Sequence, residues 1–101
     1  METGKFKFDD LIIWQKAVDC GEEIFQLSRQ FLKEEIYNLT SRVCRAADSV
    51  ALQISEGSTS RSNPEQERFI GLAVRSLAEE GTCLYKAKRR NYISEPDSLI
   101  K

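Results

Sequence analysis

Residues 34–57, EEIYNLTSRVCRAADSVALQISEG, are the stretch that decides the fold. Apolar side chains recur in it at spacings of three and four residues, which places them along one stripe of an α-helix. The stripe consists of Ile36, Leu39, Val43, Ala46, Ala47, Val50 and Ile54. The opposite side is polar, and Gly57 is suited to a left-handed C-cap. The stretch therefore predicts an amphipathic helix that ends at Gly57 and packs against other helices.

A first helix with a matching apolar stripe precedes this stretch. It is predicted to begin at Asp9 or Asp10, whose carboxylates favour a helix N-terminus. Its stripe contains Leu11, Trp14, Ala17, Val18, Gly21, Ile24, Phe25, Ser28 and Phe31. Gly21 on this side indicates either a close helix crossing or a neutral substitution. Leu32 and Lys33 then form a short turn, so the first two helices are predicted to be antiparallel neighbours.

A third helix is predicted over residues 64–90, after a polar loop. Ser62 or Asn63 can cap it, and Pro64 fits the first helical turn, where its missing N–H costs nothing. Its apolar stripe contains Ile70, Ala73, Leu77, Leu84 and Ala87, with Phe69 at the margin. Glu80 falls in the middle of this stripe, where a carboxylate needs either a hydrogen-bond donor or a helix rotation that lets it reach water.

The residues after the third helix predict a turn and a further helix start. Asn91 can adopt the left-handed conformation of a C-cap, and Ser94 followed by Asp97 is typical of a helix N-terminus. The periodicity as a whole predicts one all-α domain over residues 1–101, with three long helices and the start of a fourth.

Composition restricts the class of protein. Hydrophobic residues make up 41% and charged residues 31% of the 101 residues, which is typical of a small globular domain. Fifteen Lys and Arg residues against 16 Asp and Glu give a net charge of minus one, so any surface that attracts nucleic acid must be local. The apolar run at residues 11–14 is too short to cross a membrane or to act as a secretion signal, so we expect a cytoplasmic protein.

Residue types that usually carry catalysis or bind metals are scarce. Cys20, Cys44 and Cys83 are widely separated and the chain contains no histidine, so we expect reduced, packed thiols, no metal and no cofactor. Glu79 and Glu80 are adjacent, but neighbouring helical residues point about 100° apart and do not share a proton by default. An enzyme that uses either acid is therefore the least favoured hypothesis, and no small-molecule substrate is evident.

Cationic side chains on the second and third helices are the candidate nucleic-acid-binding residues. The candidates are Arg42, Arg45, Arg68, Arg75, Lys86, Arg89 and Arg90. They either contact phosphates or form a solvated helix face that complements the dipole of the last turn. Aromatic residues do not interleave with them, so base stacking and sequence readout are not indicated.

Several segments, taken in their order and spacing, resemble one known family. They are residues 11–17 (LIIWQKA), 31–35 (FLKEE), 45–50 (RAADSV) with 54–57 (ISEG), and 76–79 (SLAE) with 91–93 (NYI). Over residues 8–93 the chain resembles the bacterial four-helix-bundle family whose members include proteins encoded in intervening sequences of 23S ribosomal RNA genes. The resemblance implies an up-and-down four-helix bundle, here with a short or truncated fourth helix, that assembles into a ring, typically a homopentamer.

The resemblance also implies a function without catalytic residues. A related branch of the family serves diversity-generating retroelements as an accessory variability determinant, a ring that binds the reverse transcriptase and contacts nucleic acid through basic surfaces. The favoured hypothesis is a non-enzymatic oligomeric scaffold that associates with RNA, DNA or a nucleic-acid enzyme. The alternative is a pure protein–protein interaction module. A short fourth helix further predicts an apolar groove that a partner or another copy covers.

Overall fold

Three α-helices form the part of the protein that the computed structural model describes, residues 11–93. They are α1 (Ile12–Ser28), α2 (Leu39–Ser58) and α3 (Asn63–Arg89). A short 3₁₀ helix, Lys33–Glu35, lies between α1 and α2. None of these residues is in a β-strand, and none of these helices is long and apolar enough to cross a membrane.

The all-α prediction is confirmed, whereas the four-helix bundle is not, because three α-helices occur in the described range. The predicted start of a fourth helix at Ser94 and Asp97 lies outside that range, as do the predicted caps Asp9 and Asp10. Helix α1 begins at Ile12, with Leu11 in the cap position and no side-chain hydrogen bond from that residue.

The connection between α1 and α2 is longer than the predicted two-residue turn, and α2 begins at Leu39 rather than near Glu34. The cause is the Glu35 side chain. Its Oε1 atom accepts hydrogen bonds from Asn38 Nδ2 at 3.1 Å and from Leu39 N at 3.4 Å. These bonds satisfy a free N–H of the first turn of α2, as a capping side chain does. Ile36, predicted to join the apolar stripe, is exposed in this connection.

The ends of α2 and α3 differ in how well the sequence predicted them. Gly57 was wrongly assigned as a left-handed cap, because α2 continues through it and no glycine in the described range has a positive φ. A Cβ at this position would lie 3.2 Å from the Phe69 Cβ, so Gly57 instead permits close contact between α2 and α3. The caps of α3 are confirmed: Ser62 Oγ accepts from Glu65 N at 3.3 Å, and Asn91 has a φ of 63°.

The core lies around α2, because α1 and α3 both pack against it. Its largest fully buried side chains are Ile24, Val43 and Leu84, one from each helix. Gly21 is buried on the side of α1 that faces α2, and a Cβ there would lie 3.5 Å from Asp48 Oδ1 and 3.9 Å from the Ala47 carbonyl oxygen. Both are ordinary contact distances, so a methyl group would fit at this position.

An apolar groove of about 630 Å³ lies between α1 and α3, and Val50 and Ile54 of α2 also line it. Ile70 and Leu77 line it, together with Ile13 and Val74, and Leu77 is 51% exposed. The sequence placed Ile70 and Leu77 in the core, which is wrong for the described residues, since the buried face of α3 is turned toward α2. Phe25 of α1 was likewise predicted to be buried and is exposed. The predicted apolar groove is therefore present.

Val43→Asp and Leu77→Asp should behave differently. Val43 is 0% exposed, so a carboxylate there costs several kcal/mol, a large part of the stability of a small domain. We expect Val43→Asp to lose its helical circular-dichroism signal and its cooperative thermal transition. Leu77→Asp should keep both, because its side chain projects into the open groove. Loss of the helical signal in Leu77→Asp would show that Leu77 belongs to the core of the domain.

Candidate nucleic-acid interface

A cleft between the N-terminal half of α2 and the C-terminal half of α3 brings two of the predicted cations together. Arg42 of α2 and Lys86 of α3 both line it, and the cleft has a volume of about 340 Å³. Both side chains are exposed, and neither forms an ion pair with an acid within residues 11–93. Their charged groups therefore remain available to an anion.

The remaining lining of the cleft is partly apolar and partly charged. It consists of Leu39, Ala78, Glu79, Thr82 and Cys83. Burial raises the pKa of the buried Cys83 thiol, and the Glu79 charge raises it further, while Arg42 and Lys86 act in the opposite direction. Two cations and two carboxylates, Glu79 and Glu80, therefore act on the same buried thiol, which stays protonated at neutral pH because its pKa is raised.

Three other candidate cations lie outside this cleft. Arg45 and Arg75 are exposed on α2 and α3. The Arg68 guanidinium lies 4.7 Å from the centroid of the Phe69 ring, near the N-terminus of α3. None of these three side chains lines the cleft that Arg42 and Lys86 share.

The last two candidates interact with neighbouring side chains at the C-terminal end of α3. Arg89 Nη1 donates to the Tyr85 hydroxyl at 3.3 Å. Arg90 Nη1 forms an ion pair with Glu35 Oε2 at 2.8 Å, and the Tyr92 hydroxyl donates to the same oxygen at 2.7 Å. The Tyr92 hydrogen bond is the main cause of the lowered pKa of Glu35. Arg90 therefore holds the end of α3 against the start of α2.

Sequence reasoning missed the contacts that Glu35 makes with Arg90 and Tyr92. It also missed that Arg42 and Lys86 line the same cleft. Glu35 and Arg90 are 55 positions apart in the sequence, and no local pattern marks Glu35 as the residue that Arg90 contacts. Arg42 and Lys86 were both named, but only the packing register of α2 on α3 places them beside one cleft. That register follows from contacts such as the 2.9 Å hydrogen bond from Ser76 Oγ to Ser49 Oγ.

Glu80, the acid predicted to need a partner, is 3% exposed in the core. Its Oε2 atom accepts a hydrogen bond from the Cys20 thiol at 3.6 Å. Burial raises the pKa of Glu80 more than this hydrogen bond lowers it, and the pKa of Cys20 is raised to about 11. Glu80 does not line the cleft, and Cys20, Cys44 and Cys83 are all free thiols. Among residues 11–93, no group of three or more acidic or cysteine side chains has metal-binding geometry.

The sequence model of the 23S rRNA-intervening sequence protein family matches residues 9–99, nearly the whole chain. No curated protein matches the sequence.

Replacing Glu80 with Gln should change how stability depends on pH. Because burial raises its pKa above the ordinary 4.5, the folded protein retains a proton that the unfolded chain releases. Stability should therefore fall as the pH rises from about 4.5 through the raised pKa. Gln cannot ionise, so the variant should become increasingly stable relative to the original protein as the pH rises from 4.5 through the raised pKa.

Urea unfolding at several pH values measures this difference. Glu67→Gln, at an exposed position on the same helix, is the matched control. Its free energy of unfolding should change with pH in the same way as that of the original protein. A difference in stability between Glu80→Gln and the original protein that stays constant at every pH would mean that folding does not raise the pKa of Glu80.

Proposed function

Because the chain belongs to the 23S rRNA-intervening sequence protein family, we propose that it is a non-enzymatic, homo-oligomeric helical scaffold that associates with RNA or DNA, or with an enzyme that acts on them. The observation that carries the proposal is the α2–α3 cleft. There Arg42 and Lys86 meet from two helices, and neither forms an ion pair within the described chain.

The cleft suits phosphate groups for an electrostatic reason. Cations that neutralise nucleic-acid phosphates release condensed counter-ions, which supplies affinity without sequence readout. Arg42 and Lys86 project from two packed helices, so their backbone positions are set before binding. The net charge of minus one does not oppose this, since the interaction is local.

The shifted titratable groups support a role without catalysis. The raised pKa of Glu80 results from burial, and the lowered pKa of Glu35 results mainly from its bond to Tyr92. Both shifts thus have a structural explanation within the fold, whereas catalytic groups are usually perturbed where a substrate can reach them.

Self-association follows from the apolar groove between α1 and α3. Exposed Ile13, Ile70, Val74 and Leu77 form a contiguous apolar surface, which in water favours contact with a partner. In an oligomer the α2–α3 cleft is repeated, so weak contacts at single clefts add up along one nucleic acid. The family resemblance implies five copies in a ring, and we adopt this number in the proposal.

The alternative function is a protein–protein interaction module that binds no nucleic acid. The internal contacts of Arg89 and Arg90 favour it, because these two cations already have partners within the fold. In both proposed functions the apolar groove contacts another protein chain. They differ in whether the α2–α3 cleft binds nucleic acid. A binding experiment on the cleft therefore separates the two.

The double variant Arg42→Gln/Lys86→Gln should bind a single-stranded RNA more weakly. Each lost phosphate contact should also flatten the plot of log affinity against log salt by about one unit. Fluorescence anisotropy over a salt series measures both quantities. Arg90 is left unchanged, because its replacement would also remove the ion pair with Glu35.

The control is Arg29→Gln/Arg61→Gln, which removes the same charge from exposed positions that do not line the cleft. It should keep the original affinity and slope. Equal weakening by both double variants would assign binding to overall charge, and no RNA binding at low salt would favour the interaction module.

Light scattering at micromolar concentration should give a mass that is a multiple of the 11.6 kDa chain, with five copies expected. The apolar groove supplies the reason, since leaving it in water is unfavourable. A monomeric mass would contradict the proposed self-association, and another multiple would contradict only the number of copies.

A further inference from the structure

Glu79 is an unexpected residue in a cleft that binds phosphates. It lines the same cleft as Arg42 and Lys86, and its charge acts on the same thiol, that of Cys83. Within residues 11–93 it forms no ion pair that would account for its position. A site for phosphate alone would gain affinity from a neutral or cationic residue there. The carboxylate thus suits a ligand that presents a hydrogen-bond donor as well as negative charges.

The interior of the cleft has the properties of a small binding pocket. Its inner surface includes the buried side chains of Leu39 and Cys83 and the methyl group of Ala78, all of them apolar or weakly polar. The volume of about 340 Å³ is at the lower end of the range of ligand pockets, ~300–1,000 Å³. Leu39, Ala78 and Cys83 thus offer an apolar surface in the same cleft as the charged groups of Arg42, Glu79 and Lys86.

Nucleic acids contain a group that fits this combination. The exocyclic amino group of cytosine donates hydrogen bonds, and glutamate is one of the side chains that accept from it. Uracil has the same ring size but a carbonyl oxygen in the place of that amino group, which a carboxylate repels. The phosphates on either side of the base supply the anionic groups for Arg42 and Lys86.

We propose that the α2–α3 cleft receives one unpaired nucleobase that carries an exocyclic amino group, with Glu79 accepting from that group and Arg42 and Lys86 contacting the flanking phosphates. The base must be unpaired, because in an RNA helix the major-groove base edges are too deep for side chains to reach. This inference rests on the proposed association with nucleic acid, and it adds base selectivity, which the spacing of the cations in the sequence did not indicate.

The test compares two oligoribonucleotides of equal length and charge, twelve cytidines and twelve uridines, by anisotropy with the full-length protein. We expect the cytidine oligomer to bind more tightly by about fivefold or more, the low end of what a good side-chain contact to a base edge contributes. The salt slopes of the two should agree, because both make the same phosphate contacts.

Glu79→Gln should remove the preference, because a side-chain amide both donates and accepts and so serves either base. The affinity ratio should approach one, and binding of the uridine oligomer should strengthen as a negative charge leaves the cleft. Glu67→Gln carries the same charge change on an exposed part of α3 outside the cleft and should keep the original preference.

The outcomes separate the inference from the proposed function. Binding of both oligomers with equal affinity, or a preference that survives Glu79→Gln, overturns the inference and leaves the scaffold proposal in place. A preference lost equally in Glu67→Gln also overturns it. If neither oligomer binds at low salt, the inference and the nucleic-acid part of the proposed function fail together.

Discussion

The packing of two helices onto the small residues of α2 is the constraint on which the rest of the structure depends. Ala46 and Ala47 are buried along α2, Gly21 of α1 is buried against it, and Gly57 leaves room for Phe69 of α3. Both outer helices therefore pack their buried faces against α2 and make few contacts with each other. The apolar groove on one side of α3 and the α2–α3 cleft on the other follow from this arrangement.

Local sequence patterns predicted the existence of the helices, the Ser62 cap and the left-handed Asn91, because these features depend on neighbours within one or two turns. They did not predict which edge of the apolar stripe of α3 faces α2, so Leu77 was placed in the core. Periodicity specifies a face of a helix, but only the positions of the neighbouring helices decide how much of it is covered. The start of α2 was misplaced although the Glu35 contact with Leu39 N lies within four residues, because apolar spacing carries no information about this side-chain cap.

The candidate site was likewise predicted only in part from the sequence. Composition and spacing identified the cations, and the structure separates them by their partners. Arg90 is bound to Glu35 and Arg89 contacts Tyr85, whereas Arg42 and Lys86 flank the cleft. Charge alone could not make this distinction, since Arg90 and Lys86 are one helical turn apart and look equivalent in the sequence. Glu35 thus occupies Arg90, whereas Arg42 and Lys86 have no ion pair with an acid within residues 11–93.

The two ends of the helical domain differ in how readily they deform. At one end, the Glu35 carboxylate links the 3₁₀ helix, the start of α2 and the end of α3, and the rings of Phe31 and Tyr92 pack 5.4 Å apart. At the other end, the groove exposes apolar side chains and few contacts tie α1 to α3. Backbone amides near the groove should therefore exchange hydrogen with solvent faster than those near Glu35. A molecule that enters the groove therefore binds at the end with fewer contacts between α1 and α3, away from Arg42 and Lys86.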